Sequence, residues 1–285
     1  MRAMLSVTAV ALLMAIVAMP VHAQRGDLTA QEATQLFASP SLTVRMEAAA
    51  RTWEMISAGR SREVLGDVAF QNALLGLLRR ENANHVRRFQ DERFGATLGE
   101  GWSESYAGIL GLSMNVIPRL SPSQQREWLT ELIRGSYNPD SEFAKGLAGY
   151  GDLSIEALLD LTKNAAIIQQ RENAYALLAE MVGLSAFTPA AAQSSAISLS
   201  FANRQRALKA VDEGLHHQDD SIPRGIVLAL GRHASPETLT ILQDFARQNR
   251  GQLRYSQRGE HYSSLQAEVE KAIAKVQAGL GQNRR

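Results

Sequence analysis

Three stretches of this chain can be laid over one another, and that self-similarity limits the fold more than any other feature. "VRMEAAARTW" from Val44, "QRENAYALLA" from Gln170 and "PRGIVLALGR" from Pro223 bring Arg45, Arg171 and Arg224 into register. Ala50, Ala176 and Ala229 then coincide five residues later. A second set is "NALLGLLRR" around Leu74, "EALLDLTKN" around Leu158 and "LTILQDFAR" around Leu242. It shares one apolar spacing, and the three Leu are 84 residues apart in each case. A short helix such as "SIPRGIVLAL" cannot bury its apolar stripe alone, so these elements must stack on others of their kind. Small residues at a fixed place let a neighbouring helix come close, while larger apolar side chains fill the gap. Half of the 84-residue interval is about 42, inside the ~40–47-residue period of arrays of paired helices.

The same periodicity predicts helices over 29–38, 41–57, 61–81, 84–93, 103–117, 122–134 and 140–148. It predicts further helices over 153–163, 166–183, 202–216, 221–232, 236–249 and 261–279. Ser121, Asp152 and Ser235 each place a side-chain oxygen where the first free amides of a helix need an acceptor. No alternating run of β-branched residues appears, so no sheet is expected. The register is not uniform, since the Arg interval is 126 residues for the first pair and 53 for the second. The excess comes from "SAFTPAAAQSSAISLSF", an insertion between repeats. Within it "PAAAQSS" at 189–195 reads as a mobile loop.

These units resemble HEAT and armadillo-like helical repeats. The pattern is a turn with Asp or Pro, a first helix with a central Leu pair, and a second helix opening on "VR" and closing on small residues. "GDLSIEALLDLTKNAAIIQQRENAYALLAEMVGL" (Gly151 to Leu184) and "SIPRGIVLALGRH" carry it best. The resemblance implies an all-α, right-handed α-solenoid of about six helical pairs spanning 24–285, a superhelix presenting a concave surface to a protein or peptide. It implies that Arg45, Arg171 and Arg224 pair with turn carboxylates of the adjacent repeat. It also implies that second helices line the inner curve. On that basis Glu47, Arg51 and Glu172, with Phe94 and Trp102 along the same run, are the expected binding residues: a polar rim around a small aromatic anchor.

Residues 1–23 stand apart from this pattern. Arg2, a charge-free apolar run from Ala3 to Met19, and "VHA" together read as a secretory signal peptide cut after Ala23. The competing reading is an uncleaved anchor, for which 17 residues lie at the lower limit of a bilayer roughly 30 Å thick. Removal of this segment takes away one Arg and leaves 29 basic against 29 acidic side chains. A chain without net charge has no general pull on nucleic acid or anionic lipid, and no later stretch is long enough to span a membrane. The expected location is the periplasm or the cell exterior. With no Cys, disulfides, catalytic thiols and thiolate metal sites are excluded, so apolar burial must stabilise the chain.

Two stretches could carry chemistry. "HHQDD" gathers His216, His217, Asp219 and Asp220, competent ligands for a divalent cation. The cluster sits where one helix turns into the next, however, and Asp219 and Asp220 are placed to cap the helix from Ser221. "RRFQDERFGATLGEGWSESY", Arg87 to Tyr106, is the least repeat-like stretch and concentrates aromatics with Arg, the composition of binding hot spots. "GATLGEG" lacks the Lys-Ser/Thr ending of a phosphate loop, and no nucleophile elbow or His-Glu-x-x-His motif occurs. The expectation is therefore a non-catalytic scaffold without metal or cofactor. The alternative is a cell-envelope enzyme, a polymer hydrolase with its site between Arg87 and Tyr106.

Overall fold

A computed structural model describes residues 27–99, 101–136, 141–185, 199–249 and 265–282. The expected signal peptide and the expected loop at 189–195 lie outside the described residues. Every long element among the described residues is an α-helix, and none is a strand. The chain divides into two compact units between Ser136 and Tyr137.

The first unit comprises α1 (Ala30–Phe37), α2 (Leu42–Ser57), α3 (Val68–Gln90), α4 (Glu92–Thr97), α5 (Trp102–Val116) and α6 (Pro122–Gly135). Local chemistry sets their starts. At α1, Thr29 Oγ1 accepts from the Glu32 amide (3.2 Å) while Glu32 accepts from the Thr29 amide (2.8 Å), a reciprocal cap. Asp67 Oδ1 accepts from the Phe70 amide at 2.8 Å to open α3. Ser121 and Gln124 form the box ahead of α6, with Pro122 at its first position.

One boundary differs from expectation. Instead of two helices over 61–81 and 84–93, a 3₁₀ turn at Arg62–Gly66 leads into a single 23-residue α3. The polar run Glu81-Asn82-Ala83-Asn84 reads as a break, but Glu81 and Asn82 are buried and bonded to neighbouring helices. Their polarity serves tertiary partners, so the helix has no reason to end there.

Within this unit α1 packs on α2 and α3, α2 on α5, and α3 on α5 and α6, with α4 an appendage of α3. Leaving α4 aside, each helix meets those one or two places along the chain. The core runs through Phe37, Phe70, Leu74, Leu78, Leu112 and Leu129, all at most 2% exposed. The Phe37 and Phe70 rings meet at 5.6 Å.

The second unit comprises α7 (Ser141–Ala148), α8 (Asp152–Asn164), α9 (Ile168–Ser185), α10 (Phe201–Leu215), α11 (Ser221–Leu230), α12 (Pro236–Gln248) and α13 (Leu265–Gln282). Its packing repeats the rule: α9 lies against α8, α10 and α11, and α11 against α10, α12 and α13. Ser235 accepts from the Thr238 amide at 3.0 Å to open α12, as expected. Asp152 does not cap its own helix. Its Oδ1 accepts from the Ser200 amide at 2.9 Å, tying the start of α8 to the start of α10.

The recurrent residues have separable roles. Leu74, Leu158 and Leu242 are each fully buried, one in the core of each motif. Ala176 lies 3.7 Å from where a Cβ on Gly225 would sit, so it marks the close approach of α9 and α11. Arg45 and Arg224 do not behave as expected. Arg45 pairs with Glu81, in mid-helix on α3, and takes only carbonyls from the preceding turn: Ser39 O at 3.0 Å and Pro40 O at 2.9 Å. Arg224 pairs with Glu268 on α13 at 3.1 Å. A carboxylate on a packed helix is already fixed by burial, whereas a turn carboxylate would have to be ordered.

Candidate functional site

The irregular segment from Arg87 to Tyr106 is built on the second half of α3. The apolar stripe of that helix passes through Leu74 and Leu78, and the same face then carries Glu81 and His85. Glu81 is fully buried. Its Oε1 accepts from Arg45 Nε (3.2 Å) and Nη2 (2.9 Å), and its Oε2 from Asn84 Nδ2 (2.8 Å) and Trp102 Nε1 (3.1 Å). Beside it, Asn82 Nδ2 donates to Glu131 O and Oε2 on α6 at 2.8 and 2.9 Å, and the Tyr106 hydroxyl donates to Asn82 Oδ1 at 2.8 Å. Gly135 makes room for this last bond, since a methyl there would overlap both the Tyr106 hydroxyl and Asn82.

His85, one turn beyond Glu81, packs among aromatic rings. It stacks on Tyr106 at 5.3 Å and Trp102 at 6.2 Å and meets Phe89 edge-on at 5.0 Å. Trp102 and Tyr106 lie nearly parallel, 4.8 Å apart. Burial, reinforced by the charge of Arg88, lowers the His85 pKa to about 4. Burial first, and then the charges of Glu81 and Glu131, raise that of the Tyr106 hydroxyl. This is a polar core. Four N–H donors occupy the two oxygens of Glu81, which leaves little room for a substrate to bond it, and Tyr106 is held in its neutral form.

The surface of the segment is different. Phe89 stands 45% exposed at the end of α3. The Arg87 guanidinium lies 4.0 Å over the Phe94 ring. Arg88 lies 5.7 Å from the Trp102 ring and donates through Nη1 to Ser103 Oγ at 3.2 Å. Asp91 Oδ1 accepts from the Arg93 and Phe94 amides at 3.0 and 3.3 Å, which turns the chain into α4.

The expected binding residues fall in different environments. Trp102 is 3% exposed, so its expected place at the surface is corrected: its N–H is needed by Glu81 and its ring by the stack. Phe94 is half-buried under Arg87. Glu47 is exposed on α2, and Arg51, one turn on, is half-buried there. Glu172 belongs to the second unit, where it is half-buried and its stem lies 3.7 Å from where a Cβ on Gly225 would sit. It packs on α11 instead of pointing freely to water. Phe94 and Trp102 both meet arginines of α3, Glu47 and Arg51 share α2, and Glu172 belongs to the second unit.

Sequence reasoning passed over Glu81, His85 and a second buried cluster. Glu180 on α9, 2% exposed, meets Arg232 Nη1 at 2.5 Å and also bonds His233 Nε2. The signal in both cases was a Glu in phase with Leu and Ala on an apolar face: "LLGLLRRENANH" and "ALLAEMV". At "HHQDD" the structure shows a turn. His217 Nδ1 accepts from the Asp219 amide at 3.0 Å, and Asp219 Oδ1 accepts from the Ser221 amide and hydroxyl at 3.0 and 2.7 Å. Asp220 makes no side-chain cap. Among the described residues no group of three or more His, Asp or Glu is arranged to hold a metal ion, and no helix is long and apolar enough to cross a membrane.

No family model matches the sequence, and no curated protein matches it. Among solved structures, a crystal structure of an engineered protein is similar over 88% of this chain and 97% of its own, with 14% identity and a TM-score of 0.38. A likeness at that level carries no argument about fold or function.

Proposed function

We propose that the chain is an exported, non-catalytic scaffold: a right-handed solenoid of HEAT-like helical pairs that binds a protein or peptide partner in the cell envelope. The observation that carries this reading is the surface of α3 and α4. There an exposed Phe89 and a half-buried Phe94 are set among guanidinium groups held in place by aromatic rings and a hydroxyl. Aromatic and Arg side chains of restricted freedom are what interface anchors require, because little rotamer entropy remains to be lost on binding. The packing of helices on neighbours one and two places along, repeated in each unit, supports the solenoid. The saturation of Glu81 by its four donors favours binding over catalysis.

The test is capture from an envelope extract, with the chain lacking residues 1–23 as bait, beside a Phe89→Ala/Phe94→Ala variant. A partner retained by the unaltered bait and lost from the variant, at unchanged helical circular dichroism, is the expected result. Capture that ignores both substitutions removes this surface from the reading.

A further inference from the structure

Arg87 and Arg88 are held without a carboxylate, and Arg93 stands exposed on α4. Among the described residues none of the three forms an ion pair, whereas Arg45, Arg79, Arg204, Arg224 and Arg232 all do. Arg87 is placed by the Phe94 ring, and Arg88 by the Trp102 ring and Ser103. The Arg88 stem is fixed further by Gly95, whose Cβ position would lie 3.2 Å from Arg88 Cγ. A π face orients a guanidinium without cancelling its charge, and leaves the planar N–H edge open for a bidentate acceptor. That charge is felt inside, where Arg88 contributes to the lowered pKa of His85.

The acidic residues described in the stretch do not pair with these guanidiniums. The Asp91 carboxylate caps α4, while Glu92 and Glu104 are exposed and form no ion pair with Arg87, Arg88 or Arg93. Phe89, 45% exposed, sits directly beside Arg88. No Lys occurs between residues 27 and 136, so every permanent positive charge in that range is a guanidinium. Membrane and nucleic-acid surfaces are served by dense Lys and Arg clusters on chains with excess positive charge. Two oriented guanidiniums, an exposed Arg93 and one exposed ring instead match carboxylates flanking one apolar side chain.

We propose that the α3–α4 surface takes an acidic segment of a protein partner, an extended peptide in which Asp or Glu residues flank one large apolar side chain. This rests on the scaffold reading and names the chemistry of its partner. The carboxylates lie on Arg87, Arg88 and Arg93, and the apolar side chain packs on Phe89 and the edge of Phe94.

The experiment is fluorescence anisotropy with the purified chain and a labelled Glu-Glu-Phe-Glu-Glu peptide, beside Gln-Gln-Phe-Gln-Gln and Glu-Glu-Ala-Glu-Glu. Binding of the first should be about ten-fold tighter than of the glutamine peptide, the combined effect of two or three exposed charge contacts. It should weaken as salt rises from about 50 to about 500 mM. Arg87→Gln/Arg93→Gln should erase the preference for glutamate, and Phe89→Ala the preference for phenylalanine, with the thermal midpoint unmoved in both. Equal affinity for the glutamate and glutamine peptides overturns the proposal, as does unaltered binding by the Arg variant. Binding of phosphatidylglycerol vesicles with no peptide bound also overturns it and assigns the surface to lipid. If no peptide binds yet extract capture still depends on Phe89 and Phe94, the acidic chemistry fails and the scaffold stands. If capture ignores them too, both fail.

Discussion

Glu81 in the first unit and Glu180 in the second are both buried carboxylates paired with arginine, yet they are held in unlike ways. The partners of Glu81 are themselves interior: Arg45 is 5% exposed and Trp102 3%. The partners of Glu180 stand nearer the surface, with the Arg232 side chain 43% exposed and that of His233 11%. A buried carboxylate is costly to desolvate, and its net contribution depends on what its partners could do in its absence. Arg232 can turn to water. Arg45 cannot, because Ser39 and Pro40 carbonyls hold its other end and α3 covers it.

The first way to break this comparison is to remove each carboxylate. Glu81→Ala leaves the Arg45 guanidinium buried without its counter-charge and the Trp102 indole N–H without an acceptor, and should cost ~3–5 kcal/mol of stability in urea unfolding. Glu180→Ala frees Arg232 to solvent and should cost roughly 1–3 kcal/mol, close to that of one lost buried hydrogen-bonding group. Equal losses would mean that the exposure of the partner does not govern the energetics, and the contrast between the units would fall.

The two clusters also show how far the sequence carries. Helix positions, the absence of strands among the described residues and the three core Leu follow from periodicity, because amphipathic spacing is a local property of the chain. The merged α3 does not follow, because Glu81 and Asn82 look like a polar interruption until Arg45 and Glu131 arrive from α2 and α6. Trp102 could not be placed either. An aromatic in a Gly-rich segment suits a loop surface and a core equally, and only the acceptor on Glu81 decides. Phe89, the ring that is in fact exposed, lay inside the same segment but had no local mark to separate it from Phe94.

His85 sharpens the contrast through pH. Its folded pKa, about 4, lies below the ordinary 6.5. Above the ordinary value neither folded nor unfolded chain binds the proton, so His85 exacts no penalty there. As pH falls through the ordinary value, the unfolded chain takes a proton that the aromatic cluster refuses. Stability is then lost progressively down to the folded pKa, by an amount on the order of 2–3 kcal/mol. His85→Phe keeps a ring in the stack and removes the titration. Its midpoint should fall less than that of the unaltered chain between about pH 7 and about pH 4. Parallel midpoint curves for the two proteins would show that His85 is not the group responsible.

Gly135 tests the Tyr106–Asn82 corner of the same cluster. Gly135→Ala places a methyl where the Tyr106 hydroxyl and Asn82 meet, and should cost about 1–3 kcal/mol by overpacking. Combined with Tyr106→Phe, which removes the overlapping hydroxyl, the loss should be smaller than the sum of the separate losses, measured as a double-mutant cycle. Additive losses would place the strain elsewhere, on Leu110, the third neighbour of that methyl.

The smallest expected effect lies at the surface of the second unit, in a carboxylate that works across sequence instead of across a core. Asp152 was expected to cap α8 and in fact accepts from the Ser200 amide at the entry to α10. Slight burial acts to raise its pKa, but the bonds from the Ser200 backbone and side chain, joined by Asn203, outweigh it and hold the value below the usual carboxylate range. With the folded pKa depressed, the contribution is present above the ordinary carboxylate pKa and is lost as pH falls through the folded one. Asp152→Ala should cost roughly 0.5–1 kcal/mol, comparable to loss of a weak helix cap. The discriminating measurement is amide hydrogen exchange. If Asp152 ties the two helix starts together, the Ser200 amide should exchange faster in the variant while amides in the α8 interior keep their protection. If it acts only on its own helix, amides at the start of α8 should lose protection and Ser200 should not respond.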